Sequence, residues 1–171
     1  MKAHIAMRKI HPIIKHRRIG DKTKIKAFNA YIASIFLYNS ETWTITKKTE
    51  ASIDSFHRRL LREAQNIKWP RKISNTDLYE RTGERRWSDV IRERRLRLFG
   101  HIMRLSTETP VQKALSEYER PLKKSRGAQK TTWGKNIIQD LRRGDTSIEE
   151  GTNIAKDRKA WKVLVKRIIV T

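Results

Sequence analysis

Phosphoryl-transfer or nucleotidyl-transfer chemistry in this chain would have to come from its acidic residues. Two-metal catalysis requires carboxylates that converge on ions about 4 Å apart, and polymerase sites usually carry closely spaced aspartates on strands. No two aspartates are adjacent here, and the acidic doublet Glu149–Glu150 follows Ser147 with the spacing of a helix capping box. The sequence therefore predicts no two-metal site.

The other nucleophiles and metal ligands also lack a catalytic spacing. The chain has no cysteine, which excludes disulfides, thiolate metal sites and cysteine nucleophiles. Its five histidines form no HExxH pair, and it contains neither a phosphate-binding glycine loop nor a nucleophile elbow. We predict that the chain is not an enzyme on its own and that it binds no metal, cofactor or small-molecule substrate.

Positive charge is the strongest signal in the sequence. Lysine and arginine total 40 against 18 acidic residues, so the formal net charge is +22. Such a chain repels itself unless an anionic partner neutralises it, and RNA, DNA or an RNA/DNA hybrid is the expected partner. Because 37% of the residues are hydrophobic and five are tryptophan, a packed core is also expected.

The sequence contains no segment typical of membrane or secreted proteins. No apolar run reaches the roughly 18 residues that a membrane span requires, and no apolar signal core follows the basic N-terminus. The lack of cysteine mildly favours a reducing compartment. We expect an intracellular protein without membrane association, located in the nucleus, in a cytoplasmic ribonucleoprotein or in both.

Apolar residues recur with helical spacing along most of the chain. Ile25, Phe28, Ile32 and Ile35, for example, fall on one stripe of a helix. No alternating strand pattern occurs. We predict an all-α fold, a small bundle or bundles of about five to six helices, placed at 22–38, 50–67, 76–82, 88–104, 133–144 and 154–170.

Composition and turn signals divide the chain into five segments. Asn75 and Ser88 are the expected N-caps of the helices that follow them, Gly83 is expected to end the short helix between them, and Gly151 is expected to interrupt the helix that Ser147 starts. The predicted segments are a loose basic arm (1–20), a helix and the turn after it (21–46), a basic helical module (47–115), a basic loop or linker (116–130) and a C-terminal helical segment (131–171).

Basic side chains cluster on two of the predicted helices and in the basic loop. The large excess of positive charge favours phosphate contact for the set, although any single arginine is as well explained by a solvated helix face or by a pair within its helix, such as Glu93–Arg97. The expected phosphate contacts are Arg58, Arg59, Arg62, Arg92, Arg97, Arg104, Lys123, Lys124, Arg126 and Lys130.

Two arginines of the predicted helix 88–104 have a different expected role. On a helical wheel Arg95 falls within the apolar face and Arg94 lies at its edge. A buried guanidinium group requires a partner, so we expect both to pair with carboxylates inside the fold, with Glu84 and Asp89 as the candidates.

The same helix contains a glycine and a histidine that packing would explain. Gly100 costs about 1 kcal/mol relative to alanine in a helix interior, which is tolerated where another backbone packs closely. We expect His101 to be a packed core histidine rather than a metal ligand or a base. Trp133 and Trp161 match core positions, so packing is favoured over base stacking for both.

Four blocks of the sequence follow one another along the chain in this order: LYNSETW (37–43), FHRRLLREAQNIKWPRKISN (56–75), IRERRLRLFGHIMRL (91–105) and DRKAWKVLV (157–165). In this order and spacing they resemble the C-terminal thumb and post-thumb region of reverse transcriptases from non-LTR (LINE-type) retrotransposons. Asn39 stands where the family has glycine, and the family's Gly-Arg-Pro before Trp133 is replaced by RGAQKTTW. The residues of the resemblance are Tyr38, Glu41, Trp43, Trp69, Arg94, Arg95, Phe99, Gly100, His101, Trp133, Asp157 and Trp161.

The resemblance implies part of an RNA-directed DNA polymerase that holds template and primer, or the element's RNA, by phosphate contacts. The family's fingers, palm and endonuclease have no counterpart in the sequence, and the aspartates that bind Mg²⁺ in the intact enzyme belong to that palm. We therefore expect no polymerisation by this chain, and we expect the palm and fingers region to be a second partner.

Two other hypotheses remain open at this stage. The chain could be a helical structural or protein-interaction remnant that exposes the apolar face once packed on a palm domain, with Phe36, Tyr38 and Trp43 in that face. It could also be a poorly folded product that binds polyanions indiscriminately.

Overall fold

Helices account for all the regular secondary structure of the described part of the chain. The computed structural model describes residues 2–118 and 131–170, and these residues contain no strand, which confirms the predicted all-α class. A π-helical segment (Asn29–Ala33) and a 3₁₀ turn (Ser40–Thr42) accompany the α-helices. The α-helices are α1 (Lys2–Lys15), α2 (Asp21–Phe28), α3 (Ser34–Phe36), α4 (Lys47–Ala64), α5 (Asn75–Thr82), α6 (Trp87–Met103), α7 (Pro110–Tyr118), α8 (Trp133–Arg142), α9 (Ile148–Lys156) and α10 (Arg158–Val170).

The chain divides into two units. Unit 1 contains residues 1–40 and 47–90, and unit 2 contains residues 41–46 and 91–171. The short segment 41–46 therefore belongs to unit 2, although unit 1 residues flank it in the sequence. Helix α6 supplies its first residues to unit 1 and the remainder to unit 2.

The core of unit 1 is built from α1, α2, α4 and α5, together with the start of α6. Its fully buried side chains include aromatic, aliphatic and sulfur-containing groups from all five helices. The buried apolar residues of α1, α2 and α4 recur at three- and four-residue spacing, which places them on one stripe of each helix. The central members are Met7, Ile14, Phe28, Ile32, Leu60, Leu61, Leu78 and Trp87.

The expected loose arm over residues 1–20 is wrong for Lys2–Lys15, which form α1. Met7, Ile10 and Ile14 are spaced three and four residues apart and are all buried, which is the pattern of a packed helix. Pro12 lies inside this helix and is exposed. The proline and the neighbouring histidines concealed the apolar stripe in the sequence.

The predicted stripe of the helix after residue 22 is correct for its first three positions and wrong for Ile35, which is 42% exposed. The π-helical segment Asn29–Ala33 has a wider turn than an α-helix and therefore shifts the register of the residues after it. Phe36 and Leu37 face the core in place of Ile35. The helix ends at Phe36, two residues before the predicted end at residue 38, and Asn39, whose φ of 54° lies in the left-handed region, belongs to the turn that follows.

The core of unit 2 is formed by α6, α8, α9 and α10. Helices α8, α9 and α10 follow one another along the chain, and α9 contacts both of its neighbours. The buried cluster consists of Leu96, Phe99, Ile137, Leu141, Ala155, Trp161, Leu164, Val165 and Ile168.

The single helix predicted over 154–170 is two helices separated at Asp157. This residue is extended, with φ −91° and ψ 114°, and its Oδ1 accepts a hydrogen bond of 2.7 Å from the Lys159 backbone N–H. Asp157 thus caps the start of α10. The predicted capping box of Ser147 and Glu150 is present at the start of α9.

Gly151 does not interrupt α9 as expected, because the helix continues through it to Lys156. A Cβ atom at this position would lie 2.8 Å from Cδ1 of Leu141, so the glycine permits close packing of α9 on α8. The cost of a glycine inside a helix is thereby offset by that contact.

Two of the predicted helix caps are wrong: in the structure, other residues cap the starts of α5 and α6. Ser74, not Asn75, caps α5, and its hydroxyl accepts the Asp77 N–H at 3.1 Å. Ser88 lies within α6, and its backbone N–H donates to Asp54 of α4 at 3.0 Å. A carboxylate from another helix therefore performs the capping expected of Ser88. Gly83 ends α5 with φ 66°, as predicted.

Candidate nucleic-acid interface

The cationic side chains lie almost entirely on the surface of the described structure. Among the lysines and arginines whose side chains are described, only Arg92 and Arg95 are buried. The remainder are exposed or half-buried, so the charge excess is available to an anion in solvent.

Helix α4 brings together the first predicted cluster. Arg59 is exposed and its guanidinium carbon lies 5.2 Å from the centre of the Phe56 ring, while Arg58 is half-buried. Arg62 is also half-buried and donates from one nitrogen to the Ile73 carbonyl at 3.2 Å and to Asn75 Oδ1 at 2.8 Å. Arg62 thus also holds the segment that follows the helix.

These three arginines line a cavity of about 560 Å³ on unit 1. We call it the α4 groove. Lys68, which is not among the predicted phosphate contacts, also lines this cavity. It follows the predicted helix 50–67, so helical spacing does not indicate the direction of its side chain. The groove is lined by Ser55, Arg58, Arg59, Arg62, Glu63, Ile67, Lys68 and Asn75.

Trp69 follows Lys68 and is 85% exposed. Trp69 and Pro70, joined by a cis peptide bond, are the central residues of a turn that is closed by the Arg71 N–H, which donates to the Lys68 carbonyl at 2.9 Å. Helix α4 ends before this turn, at Ala64.

Arg92 was expected to contact phosphate, and the structure contradicts this. Its side chain is 2% exposed and its Nε donates to Oδ1 of Asp140 at 3.1 Å. Arg92, Leu96 and Phe99 are spaced by four and three residues and are all buried. Arg92 therefore belongs to a buried face of α6, which it shares with Leu96 and Phe99.

Arg95 is buried and ion-paired, as predicted, but its partner is Asp140 of α8 rather than Glu84 or Asp89. Its Nε and one terminal nitrogen lie 2.8 and 2.7 Å from Oδ2 of Asp140. Burial raises the pKa of Asp140, and the guanidinium groups of Arg95 and Arg92 oppose that shift. Arg94 is half-buried. A partner 45 residues away could not be chosen from helical spacing.

Arg97 and Arg104 are exposed, as the phosphate-contact prediction requires. Arg97 forms the predicted ion pair with Glu93 one turn earlier in α6. Arg104 donates to the Ala155 carbonyl at 2.7 Å, near the C-terminal end of α9, where positive charge is favourable. Each of these two cations therefore also has a protein partner.

The basic loop of the prediction lies mostly outside the described residues. Lys123, Lys124, Arg126 and Lys130 all belong to that undescribed part, so their role as phosphate contacts stays a prediction. The first residues of the predicted loop, up to Tyr118, are the end of α7.

Helix α10 also carries a basic surface, which is not among the predicted phosphate contacts. The helix contains no acidic residue between Arg158 and Val170, and this lack of acidic residues within a basic helix is the sequence signal for that surface. The exposed cations of α10 are Arg158, Lys159, Lys162, Lys166 and Arg167.

Several residues of the family resemblance have packing or hydrogen-bonding roles in unit 2. The Trp133 indole N–H donates to the Glu41 carbonyl at 2.8 Å, and a terminal nitrogen of Arg95 lies 3.4 Å from the Trp43 carbonyl. Asn136 bonds both the N–H and the carbonyl of Ile45 at 2.8 Å. These bonds fix segment 41–46 within unit 2.

Gly100 accommodates the ring of Trp161. The Trp161 indole N–H donates to the Leu96 carbonyl at 3.0 Å, and a Cβ on Gly100 would overlap this ring. The close neighbour is therefore an aromatic side chain rather than the backbone we expected. Phe99 lies 5.7 Å from Trp161 between ring centres, and both tryptophan predictions of packing are supported, with Trp161 buried and Trp133 half-buried.

The prediction of a packed core histidine is wrong for His101, which is exposed, and it describes His57 instead. His57 of α4 is fully buried and stacks on Trp87 at 4.3 Å with an interplanar angle of 8°. Neither ring nitrogen has a hydrogen-bond partner among the described residues. Burial, with a smaller contribution from the charge of Arg58, lowers the pKa of His57 to about 3, so the ring is neutral at pH 7.

The predicted exposed apolar set is only partly exposed. Tyr38 is 79% exposed, but Phe36 is half-buried and stacks on Trp87 at 4.4 Å, and Trp43 is half-buried. The exposed apolar residues of the same helical region are instead Tyr31, Ile35 and Tyr38.

Metal-ligand groups, membrane-spanning helices and related proteins add few constraints on the function. Within the two described ranges, no three His, Asp or Glu side chains are grouped so that they could hold a metal ion, and no described helix has the length and hydrophobicity to cross a bilayer. No family model, curated protein or solved structure matches the chain. The reverse-transcriptase resemblance therefore stays a prediction from the sequence blocks.

Proposed function

We propose that this chain binds the sugar–phosphate backbone of RNA, DNA or an RNA/DNA hybrid and has no catalytic centre of its own. The observation that carries the proposal is the net charge of +22 together with the surface position of nearly all described cations. Backbone contacts neutralise phosphates without reading bases, so binding by this surface is independent of base sequence.

The family resemblance supports a more specific setting for this activity. In an intact non-LTR retrotransposon reverse transcriptase, the chain would act as the thumb and post-thumb part that holds template and primer or element RNA. The polymerising aspartates and their Mg²⁺ would belong to a separate palm domain, which would be the second partner. The chain alone is then expected to produce no cDNA.

A salt titration tests the proposed binding. Fluorescence anisotropy with labelled RNA, DNA and hybrid duplexes of equal length would measure affinity between 50 and 200 mM salt. If about six phosphates are engaged, the affinity should fall roughly a thousandfold over this range, because counterion release makes binding salt-dependent. The absence of binding to all three ligands at 50 mM salt would refute the proposal.

One observation favours a protein-interaction role as the second candidate. Tyr31, Ile35 and Tyr38 are 56%, 42% and 79% exposed, so one short stretch of the chain carries a row of three exposed apolar side chains. Such a row is suited to pack on another protein surface. Self-association that persists at high salt and is lost in Tyr31→Ser with Tyr38→Ser, measured by sedimentation, would support this candidate.

A further inference from the structure

The α4 groove has the charge and dimensions of an anion-binding site. Four cations line it, namely Arg58, Arg59, Arg62 and Lys68, against the single carboxylate of Glu63. Its volume of about 560 Å³ lies within the range of small-molecule and cofactor pockets. Because Arg59 and Lys68 are exposed, they can meet a phosphate without first giving up a buried position.

An exposed aromatic residue follows the last basic residue of the groove in the sequence. Trp69 is 85% exposed and directly follows Lys68, which lines the groove. Every other tryptophan of the chain is buried or half-buried. An indole at the corner of a turn offers a flat face to a planar ligand, and each nucleic-acid base has such a face.

The segment that carries Trp69 is anchored on both sides. Before it, Ile67 is buried and its N–H donates to the Arg62 carbonyl at 2.8 Å. After it, the Arg62 side chain bonds the Ile73 carbonyl and Asn75 Oδ1. Anchoring reduces the conformational entropy that binding would otherwise cost, because the backbone of the turn that carries Trp69 is held in place before a ligand arrives.

We propose that the α4 groove and Trp69 form one site for a single-stranded segment of nucleic acid, in which Arg58, Arg59 and Lys68 neutralise phosphates and one base stacks on Trp69. This inference rests on the proposed function and specifies the form of its ligand. In a duplex the base faces are covered by neighbouring base pairs, whereas a single strand can present an uncovered base. The site therefore prefers single strands to duplexes of equal charge.

The experiment compares an oligodeoxythymidine 10-mer with an abasic 10-mer that carries the same phosphates. Stacking of one base on an aromatic ring corresponds to roughly a 5- to 150-fold change in affinity. Trp69→Ala should weaken binding of the 10-mer by about that factor and leave abasic binding unchanged, whereas Trp69→Phe should restore most of the loss. Tyr38→Ala, at an exposed aromatic residue of the same unit that does not line the groove, is the matched control and should change neither affinity.

A second variant tests the phosphate half of the site. Arg59→Gln combined with Lys68→Gln should weaken binding of the 10-mer and of the abasic strand alike and should reduce the salt dependence of both. Both residues are exposed, so circular dichroism of the variants should match the unchanged chain.

Several results would overturn the inference. These are an unchanged 10-mer affinity in Trp69→Ala, an equal loss for the abasic strand, tighter binding of a 10-base-pair duplex than of the single strand, or equally tight binding of a polyglutamate peptide of the same charge. If the abasic strand binds with steep salt dependence while Trp69→Ala has no effect, the proposed function survives and this site fails. If no polynucleotide binds, both fail.

Discussion

Unit 1 encloses an imidazole that has no hydrogen-bond partner in the described part of the chain, whereas unit 2 encloses two guanidinium groups that share one carboxylate. In unit 1, His57 avoids the cost of a buried charge by remaining neutral between aromatic rings. In unit 2, Arg92 and Arg95 cannot lose their protons, so Asp140 has to supply the opposite charge. The same strongly basic chain thus buries polar groups in two ways, and the two units should fail under different conditions.

Loss of the shared carboxylate should have the largest effect. Asp140→Ala leaves two guanidinium groups buried without their charged partner, so we expect the free energy of unfolding to fall by about 3–5 kcal/mol. Urea denaturation measures the loss, and amide hydrogen exchange should locate it in α6 and α8 of unit 2.

The control for this prediction is an exposed ion pair of similar geometry. Glu108 and Lys113 lie 3.0 Å apart with both side chains exposed, so Glu108→Ala should cost less than about 1 kcal/mol. Comparable losses in the two variants would show that Asp140 does not sustain the buried arginines.

Acid should destabilise unit 1 through His57. Below pH 6.5 the unfolded chain takes up a proton at this residue, but the folded chain does not until about pH 3. The free energy of unfolding therefore decreases as the pH falls, with a slope that approaches about 1.4 kcal/mol per pH unit and a total change of about 2 kcal/mol between pH 7 and 5.

The comparison between the unchanged chain and His57→Phe isolates this contribution, because other acidic and basic groups titrate in both. The difference in unfolding free energy between the unchanged chain and His57→Phe should change by about 2 kcal/mol between pH 7 and 5. His101→Gln, at an exposed histidine, is the control variant for the removal of a histidine. A constant difference between pH 7 and 5 for His57→Phe would contradict the neutral buried imidazole.

The smallest expected loss of stability follows from removing Asp54, the buried carboxylate of unit 1. Asp54 accepts the Ser88 N–H at 3.0 Å and the Ser88 hydroxyl at 2.7 Å, so it caps the start of α6. Asp54→Ala should lower the free energy of unfolding by about 1 kcal/mol, the usual cost of a lost N-cap. Asp54→Asn keeps one acceptor oxygen and should lose less in the same urea experiment. Equal losses would mean that the hydrogen bond to the helix start contributes nothing.

Helical spacing predicted most helices because the signal is local. The periodic apolar residues of α4, the left-handed Asn39, the αL Gly83 and the Ser147–Glu150 capping box act within a few neighbouring residues. Apolar spacing predicts one buried stripe for each helix. This prediction fails where a helix is buried on more than one side, as in α6, and it therefore places Arg92 on the surface. It also fails where a π-helical turn shifts the register, as before Ile35.

The candidate interface likewise has some features that local sequence predicts and others that depend on the tertiary structure. Charge excess and the arginines of α4 are evident from composition and spacing alone, because most cations of a folded protein remain in water. The groove, its fourth cation Lys68 and the exposed Trp69 depend on how the segment after α4 turns back, and Arg62 decides this through bonds to Ile73 and Asn75.

The sequence by itself determined an all-helical, strongly basic chain, since helix periodicity and net charge are properties of neighbouring residues and of composition. Only the tertiary structure decided that Asp140 neutralises Arg92 and Arg95, that His57 lies between aromatic rings, and that Gly100 receives Trp161. Each of these contacts joins residues that are distant along the chain, and a buried charge or ring finds its partner only when the helices pack.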